Sequence, residues 1–315
     1  MKAYQFTDTG KPLTLSEVPD PVPGAGEVVL DVRTCGLCHS DISIMHNEMA
    51  EASLPIVPLT LGHEIAGVIS AVGEGVTDWA VGDRVGVWST PREGSIPGFT
   101  RHGGYAEKHL APTKDLVRIP DRLDFALSSY ANDAGMTAYH GIVTRGGLQS
   151  GMKVGIIGIG GLGQTGARIG VLRGAEVHVA EPKKDVWPLA EELGAASVVA
   201  DAEQWRGQDF DLIVDFAGFN TAERALEALK FGGTAVQVGV GAPEATINTG
   251  VLLREKSLLG SFGGTKDDLA AVYELLASGE LSPVVSEIAF SQINEGLERL
   301  HAGTVTGRLV TRISN

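Results

Sequence analysis

The chain of 315 residues contains only two cysteines, and both lie in one short stretch, 'TCGLCHSD' (34–41). Two cysteines cannot build a disulfide framework or a four-thiolate structural metal site, so the cytosol is the expected compartment. Positive charge is also in deficit: 25 Lys and Arg stand against 39 Asp and Glu, a net charge of −14. Nucleic-acid phosphates are held by basic patches, and this balance argues against such a partner. No apolar run approaches the ~20 residues needed to cross a bilayer, so no membrane partner is expected. The opening 'MKAYQFTDTGKPLTL' has no apolar core and is not expected to act as a secretion signal. Internal repeats, low-complexity tracts and long charge runs are missing as well. What is left is the composition of a soluble globular protein, 43% apolar and 20% charged, long enough for two domains. Glycine breaks the pattern of scarcity. Its 42 residues far exceed the usual ~7% share and announce tight turns and close backbone approaches.

The first 130 residues read as β-rich. Short alternating runs at 'EVVLDVRTC' (27–35), 'EIAGVISAVG' (64–73) and 'DRVGVWS' (83–89) are separated by Gly, Pro and Asp, as in a barrel-like β domain. The texture changes near 150. 'MKVGIIGIG' (152–160) is a nearly continuous apolar run, the mark of a strand buried on both faces of a parallel sheet. Similar runs follow at 175–181, 196–200, 211–218, 233–240 and 256–262, with helical stretches at 162–173, 185–193 and 221–230. This alternation predicts a doubly wound α/β sheet. Helices are expected at 266–278 and 292–302, and a last strand at 307–314.

The first buried run ends in Gly158-Ile159-Gly160-Gly161-Leu162-Gly163. A lone GxGxxG is weak, but here it follows a strand, opens a helix and is followed eighteen residues later by an acid, Glu181. In that setting it points to a bound dinucleotide. Gly158 permits the tight turn, Gly160 the approach of the pyrophosphate, and Gly163 the packing of helix on strand. The helix N-terminus faces the phosphates. Glu181 is placed for the adenosine ribose hydroxyls and would repel a 2′-phosphate, so NAD is expected over NADP. Lys183 and Lys184 could bend back toward a phosphate, although solvated charges are the plainer reading of both.

In 'TCGLCHSD' three readings compete: a redox dithiol, a metal ligand, or two small apolar neighbours. A redox Cys-x-x-Cys belongs at a helix start in a thioredoxin-like βαβ unit, whereas this one follows a β-run well before the parallel sheet. One cysteine with a histidine and a carboxylate from elsewhere would make a catalytic zinc site with an open fourth position. 'LTLGHEIAGVI' (59–69) offers His63 and Glu64 as partners. Spacing alone leaves these readings open.

Over nearly its whole length the chain resembles the zinc-dependent alcohol dehydrogenases of the medium-chain dehydrogenase/reductase family. Cys38-His39-Ser40-Asp41 matches the family's Cys-His/Arg-Ser/Thr-Asp stretch, and 'GHEIAGVI' (62–69) follows its GHE-x-x-G-x-V pattern with an aliphatic residue last. 'VGDRV' (81–85), 'GGYAE' (103–107), 'GIGGLG' (158–163) and 'FGG' (262–264) fall in family order. The resemblance implies a GroES-like β-rich catalytic domain over 1–134 and 266–315, and a Rossmann NAD-binding domain over 135–265. It implies that Cys38 and His63 bind zinc and that Cys35 does not. The family's third ligand is usually a cysteine; the corresponding 'DAGMTAY' (133–139) has Asp133 there. One Cys⁻, one Asp⁻ and one neutral His still balance Zn²⁺, with a harder donor set. The neighbouring Asn132 is a neutral amide and a poor substitute. A second departure is the interval 'GVWSTPREGSIPGFTRH' (86–102), short and free of cysteine, where most zinc members carry a lobe with four cysteines and a structural zinc. One catalytic zinc per chain is therefore expected.

The roles implied are these. Ser40 accepts the alcohol proton and relays it through the cofactor ribose, with Ser43 standing where some relatives end the relay on a histidine. Asp41 and Glu64 orient the zinc ligands or exchange with them. His39 lies near the pyrophosphate, Arg308 in 'TGRLV' (306–310) contacts the phosphates, and Val238 and Phe262 complete the cofactor contacts. Trp88 and Phe262 are candidate pocket walls. The expected reaction is reversible hydride transfer between NAD and an uncharged alcohol, secondary rather than primary, giving a ketone or aldehyde. A homo-oligomer, dimer or tetramer, is implied, with the missing lobe leaving its size open. The alternatives are a polyol dehydrogenase, a zinc-free alkene or quinone reductase of the same family, and a non-catalytic NAD(H)-binding protein.

Overall fold

A computed structural model describes residues 1–46, 54–91, 95–242 and 244–314. The chain divides into two units: Met1–Asp133 with Leu269–Ala277 and Val284–Asn315, and Ala134–Asp268 with Ser278–Pro283.

The first unit is built on a β-sheet whose strands run, in spatial order, Val285–Ala289, Arg308–Arg312, Glu27–Gly36, Glu64–Val72, Arg84–Val87 and Leu116–Arg118. Lys108–Pro112 also pairs with Glu27–Gly36, so that long strand is bonded along both edges. Its β-branched and aliphatic residues Val28, Leu30 and Val32 point into one core with Leu59, Leu61, Ile65, Ile69, Val85 and Val87, all nearly or fully buried. Strand Arg308–Arg312 runs antiparallel to Glu27–Gly36 and parallel to Val285–Ala289, and so brings a distant segment next to the first cysteine, Cys35, opposite Thr311. A smaller sheet joins Thr14–Glu17, Lys2–Phe6 and Leu59–Thr60. The β-rich unit expected from the short alternating runs is present.

The second unit holds a six-stranded sheet. In chain order its strands are Lys153–Ile157, Glu176–Ala180, Ser197–Val199, Phe210–Asp215, Leu229–Gln237 and Ser257–Gly260, and in space they run 3-2-1-4-5-6. Every pairing is parallel. That is the Rossmann order, with its switch point between the first and fourth strands. Val154, Ile156, Val177, Val179, Ile213, Val214 and Val236 are buried, which explains why the central strands read as unbroken apolar runs. The helices Gly163–Leu172, Trp187–Glu192, Ala222–Ala228, Lys266–Ser278 and Ile293–His301 lie where the sequence periodicity placed them, within two residues at most ends. Periodicity did not signal the helical run from Phe125 to Arg145, whose two π-helical turns, Ala131–Gly135 and His140–Arg145, break the 3.6-residue repeat. Among the described residues, no helix is long and apolar enough to cross a membrane.

Candidate active site

The two cysteines stand in different environments. Strand Glu27–Gly36 carries Cys35 into the core at 0% exposure, and burial pushes its thiol pKa well above the usual value. The chain then turns, helix His39–His46 begins, and Cys38 occupies the corner between them. Both thiols are free. His63 directly precedes strand Glu64–Val72, and Asp133 lies in the π-helical turn Ala131–Gly135. These distant segments converge: donor atoms of Cys38, His63, Glu64 and Asp133 all lie within 4.8 Å of one another. Cys38 Sγ is 3.7 Å from Asp133 Oδ2, and His63 Nε2 is 3.5 Å from the same oxygen. Ser40 Oγ is 3.4 Å from His63 Nε2.

Surrounding groups fix these donors. Asp41, fully buried, accepts the Cys38 N–H on Oδ2 at 3.0 Å and the Gly62 N–H on Oδ1 at 3.3 Å. Its Oδ1 lies 3.5 Å from His63 Nδ1, which leaves Nε2 turned toward Asp133. Glu64, also fully buried, is held by two guanidinium N–H groups of Arg308, one of them at 3.2 Å. The same guanidinium reaches to 3.4 Å from Asp133. Arg308 therefore sits among the donors of the cluster, 3% exposed. Burial raises the Cys38 thiol pKa, but Arg308 and His63 outweigh it and the net direction is down. For His63, burial pushes the pKa down, yet Asp41 first and Asp133 next carry it well above its usual value. Asn132 is spent elsewhere: its amide donates to Ile65 O and its carbonyl accepts the Tyr273 hydroxyl.

The glycine loop forms a second site within the other unit. Gly158 takes φ +83°, a left-handed conformation open to glycine at little cost. At Gly160 an added Cβ would meet nothing within 4 Å, so that face of the loop is open to a ligand. At Gly163 a Cβ would run into the Gly158 carbonyl, which is how closely the helix packs on the loop. No side chain caps the N-terminus of helix Gly163–Leu172. Glu181 follows the second strand, and its carboxylate accepts the Ile159 N–H at 3.0 Å and the Lys183 N–H at 2.9 Å. A carboxylate has about four acceptor positions, so two remain. Gly161 and Leu162 lie in the turn between the outer glycines.

The remaining sequence candidates are spread more widely. His39 is exposed, and Ser43 Oγ bonds back to the His39 carbonyl at 3.1 Å within its own helix. Val238 is half-buried just past the fifth Rossmann strand, and its N–H is bonded to Asp215 O. Phe262 is 72% exposed and Trp88 half-buried. Local spacing did not reveal the Glu64–Arg308 pair, which joins residues 244 positions apart, nor Phe99, whose ring lies 5.2 Å from that of His63.

Comparison with known proteins agrees with both units. Residues 24–121 match the family described as alcohol dehydrogenase GroES-like domain, and residues 161–278 match zinc-binding dehydrogenase. An alcohol dehydrogenase of Geobacillus stearothermophilus is 32% identical over 99% of this chain and 100% of its own length. An NADP-dependent alcohol dehydrogenase C of Mycobacterium bovis is also 32% identical, over 99% of this chain and 98% of its own. Among solved structures, an acetophenone reductase from Geotrichum candidum in complex with NAD has a TM-score of 0.90 and 32% identity, covering 99% of this chain and 97% of that one. The alcohol dehydrogenase of Aeropyrum pernix superposes with a TM-score of 0.91 at 29% identity, over 99% and 100% of the two chains. The chain belongs to the zinc-binding, medium-chain alcohol dehydrogenase family and is an oxidoreductase acting on alcohol donors.

Proposed function

We propose that the protein oxidises an uncharged, secondary alcohol to the ketone, reversibly, with NAD as hydride acceptor and one zinc ion held by Cys38, His63 and Asp133. The observation that carries this reading is the spacing of the three donors. Bonds of about 2.0–2.3 Å in a tetrahedral zinc site set neighbouring donors roughly 3.3–3.6 Å apart, and the Asp133 oxygen stands 3.5 and 3.7 Å from the His63 and Cys38 donors. A thiolate, a carboxylate and a neutral imidazole also balance the ion's charge. Bound there, zinc supplies a Lewis acid that polarises the substrate oxygen, and NAD supplies the hydride acceptor.

The chain's own residues do the rest. Asp41 lies 3.5 Å from His63 Nδ1, and its charge favours the proton on that nitrogen, leaving Nε2 as the ligand atom. Ser40, beside that nitrogen, accepts the hydroxyl proton of the alcohol and passes it toward the cofactor ribose. Arg308 binds Glu64 and Asp133 and shares its charge with the cofactor phosphates. In the nucleotide unit, Glu181 is pinned by two backbone N–H groups, so its charge stays at the ribose position and disfavours a 2′-phosphate. The Lys183 backbone N–H is one of the two. His39, Val238 and Phe262 are assigned to the cofactor, and Trp88 with Phe262 to the substrate pocket. Residues 1–134 and 266–315 form the catalytic domain in this reading and 135–265 the NAD domain. The assembly is a cytosolic homo-oligomer.

Elemental analysis of protein prepared without chelator, alongside a panel of primary, secondary and polyhydric alcohols with both cofactors, tests the proposal. About one zinc per chain, with fastest NADH formation from secondary alcohols, is the expected outcome. A polyol preference would overturn the substrate assignment, and a metal-free, fully active protein would overturn the site.

A further inference from the structure

'GGYAE' (103–107) has so far been only a marker of family order. Its tyrosine is a large side chain at 0% exposure, and its hydroxyl does not simply fill space. The oxygen lies 2.8 Å from Asp41 Oδ2 and 3.2 Å from the Gly36 carbonyl. A phenol has one proton and so donates to one of the two; the shorter contact to a charged acceptor is the stronger. Burial, and then the Asp41 charge, push the Tyr105 pKa well above its usual value, which keeps that proton in place.

The ring of the same residue covers Gly62. That glycine has φ +87°, and a Cβ on it would come within 2.5 Å of the Tyr105 ring. The backbone on either side locks the contact: Gly103 N–H bonds to Thr60 O at 2.7 Å, Gly104 N–H to Gly62 O at 2.7 Å, and Tyr105 N–H to Leu61 O at 3.0 Å. One residue thus grips both approaches to the donor cluster. Its ring and backbone hold segment 60–62, which ends at His63. Its hydroxyl holds Asp41, which bonds the Cys38 N–H and faces His63 Nδ1.

We infer that Tyr105 is a positioning residue for the metal centre: its hydroxyl fixes Asp41, and through Asp41 the spacing of the Cys38 and His63 donors. The inference rests on the proposed zinc site. Groups one step removed from metal ligands typically change affinity by about 10–100-fold when lost. Tyr105→Phe keeps the ring on Gly62 and removes only the hydroxyl.

The experiment measures release of zinc from the loaded protein into an excess of chromophoric chelator, with melting of the zinc-free protein as companion. Y105F is expected to release zinc about tenfold faster than wild type or more. Because the hydroxyl works through Asp41, adding Y105F to an Asp41→Asn background should produce no further acceleration. Wild-type release rates in Y105F, or an undiminished acceleration in the D41N background, would overturn the inference while leaving the zinc site standing. A wild-type protein that takes up no zinc would overturn both. Should Y105F fail to accumulate as folded protein, Tyr105→Leu takes its place: faster release that the D41N background abolishes supports the link, and a wild-type rate sinks it.

Discussion

In the second unit, one strand–turn–helix of contiguous sequence forms the floor of the nucleotide site, and a single carboxylate from the next strand closes it. In the first unit, the donors come from a strand-to-helix corner, the start of another strand and a π-helical turn, and the last strand adds the cation that pairs with them, Arg308, 175 positions from Asp133. The two sites also treat charge differently. The glycine loop uses backbone N–H groups and a helix end, which carry no side chain to titrate or lose. The donor cluster packs a thiol, an imidazole, two carboxylates and a guanidinium together in the protein interior. Removing any one of them leaves the others uncompensated, and such losses are costly. The loop site should therefore fail by shape and the cluster by charge.

The largest expected effect is at the cluster. Asp133→Ala should lose zinc and lower turnover by about 10³-fold or more, several kcal/mol of transition-state stabilisation, while NADH binding to the intact loop persists. Full zinc content and activity in that variant would make Glu64 the third donor. Gly163→Val tests the reverse. A side chain driven against the Gly158 carbonyl should weaken NADH binding by about 10²-fold, measured by fluorescence titration, with zinc content unchanged. Loss of zinc there would show that the two sites do not fail independently. Ser40→Ala should retain both zinc and cofactor yet lower kcat by about 10²-fold, and unchanged turnover from pH 6 to 9 would remove Ser40 from the proton path. Glu181→Ala should reduce the preference for NAD over NADP by about tenfold in kcat/KM, ~1.4 kcal/mol. An unaltered ratio would shift cofactor choice to Lys183 or Lys184.

The smallest effect is on stability. His109, fully buried in the first unit, has its pKa pushed down to about 3 by burial, with Arg101 adding to the fall. Its stability contribution is whole above the unfolded pKa of about 6.5. It erodes as pH falls below that value, because the unfolded chain takes a proton that the native one refuses. Unfolding free energies from urea titration should drop between pH 6 and pH 5 by up to ~1.4 kcal/mol more in wild type than in His109→Gln. Parallel pH curves would remove His109 as a source of acid sensitivity. His178 in the second unit is also shifted down by burial, so acid separates the two units less cleanly than mutation does.

The contrast between the sites also governs how much of each was legible in the sequence. The glycine loop, its flanking strand and helix and Glu181 could be read directly, because the turn, the helix and the apolar run are local consequences of adjacent residues. The donor cluster could not. Cys38 and His63 stand in recognisable stretches, but only a family pattern pointed to Asp133, since a π-helical turn inserts a residue into the helical repeat and no periodicity reveals it. At Arg308 the family pattern points only to a phosphate contact, and the pairing of its guanidinium with Glu64 and Asp133 is set by strand order rather than by any signal near residue 308. Tyr105 carries no signal in the sequence beyond its place in 'GGYAE', and only the position of Asp41 gives its hydroxyl a task.

Strand Arg308–Arg312 lies between Val285–Ala289 and Glu27–Gly36, although ribosomal synthesis delivers it long after the strands on its inner side. Nearly all of the nucleotide unit emerges in between. At ~5–20 residues per second, the 175 positions from Asp133 to Arg308 represent roughly 9–35 s of translation. For that interval Glu64 and Asp133 exist without their cation, and the slot beside Cys35 stands unpaired. The parallel sheet meanwhile has all six of its strands in hand well before Arg308 arrives. The nascent chain therefore acquires its cofactor fold first and the cation that balances its donor cluster last, which leaves the sheet edge at Thr34–Gly36 as the surface in need of protection during biogenesis.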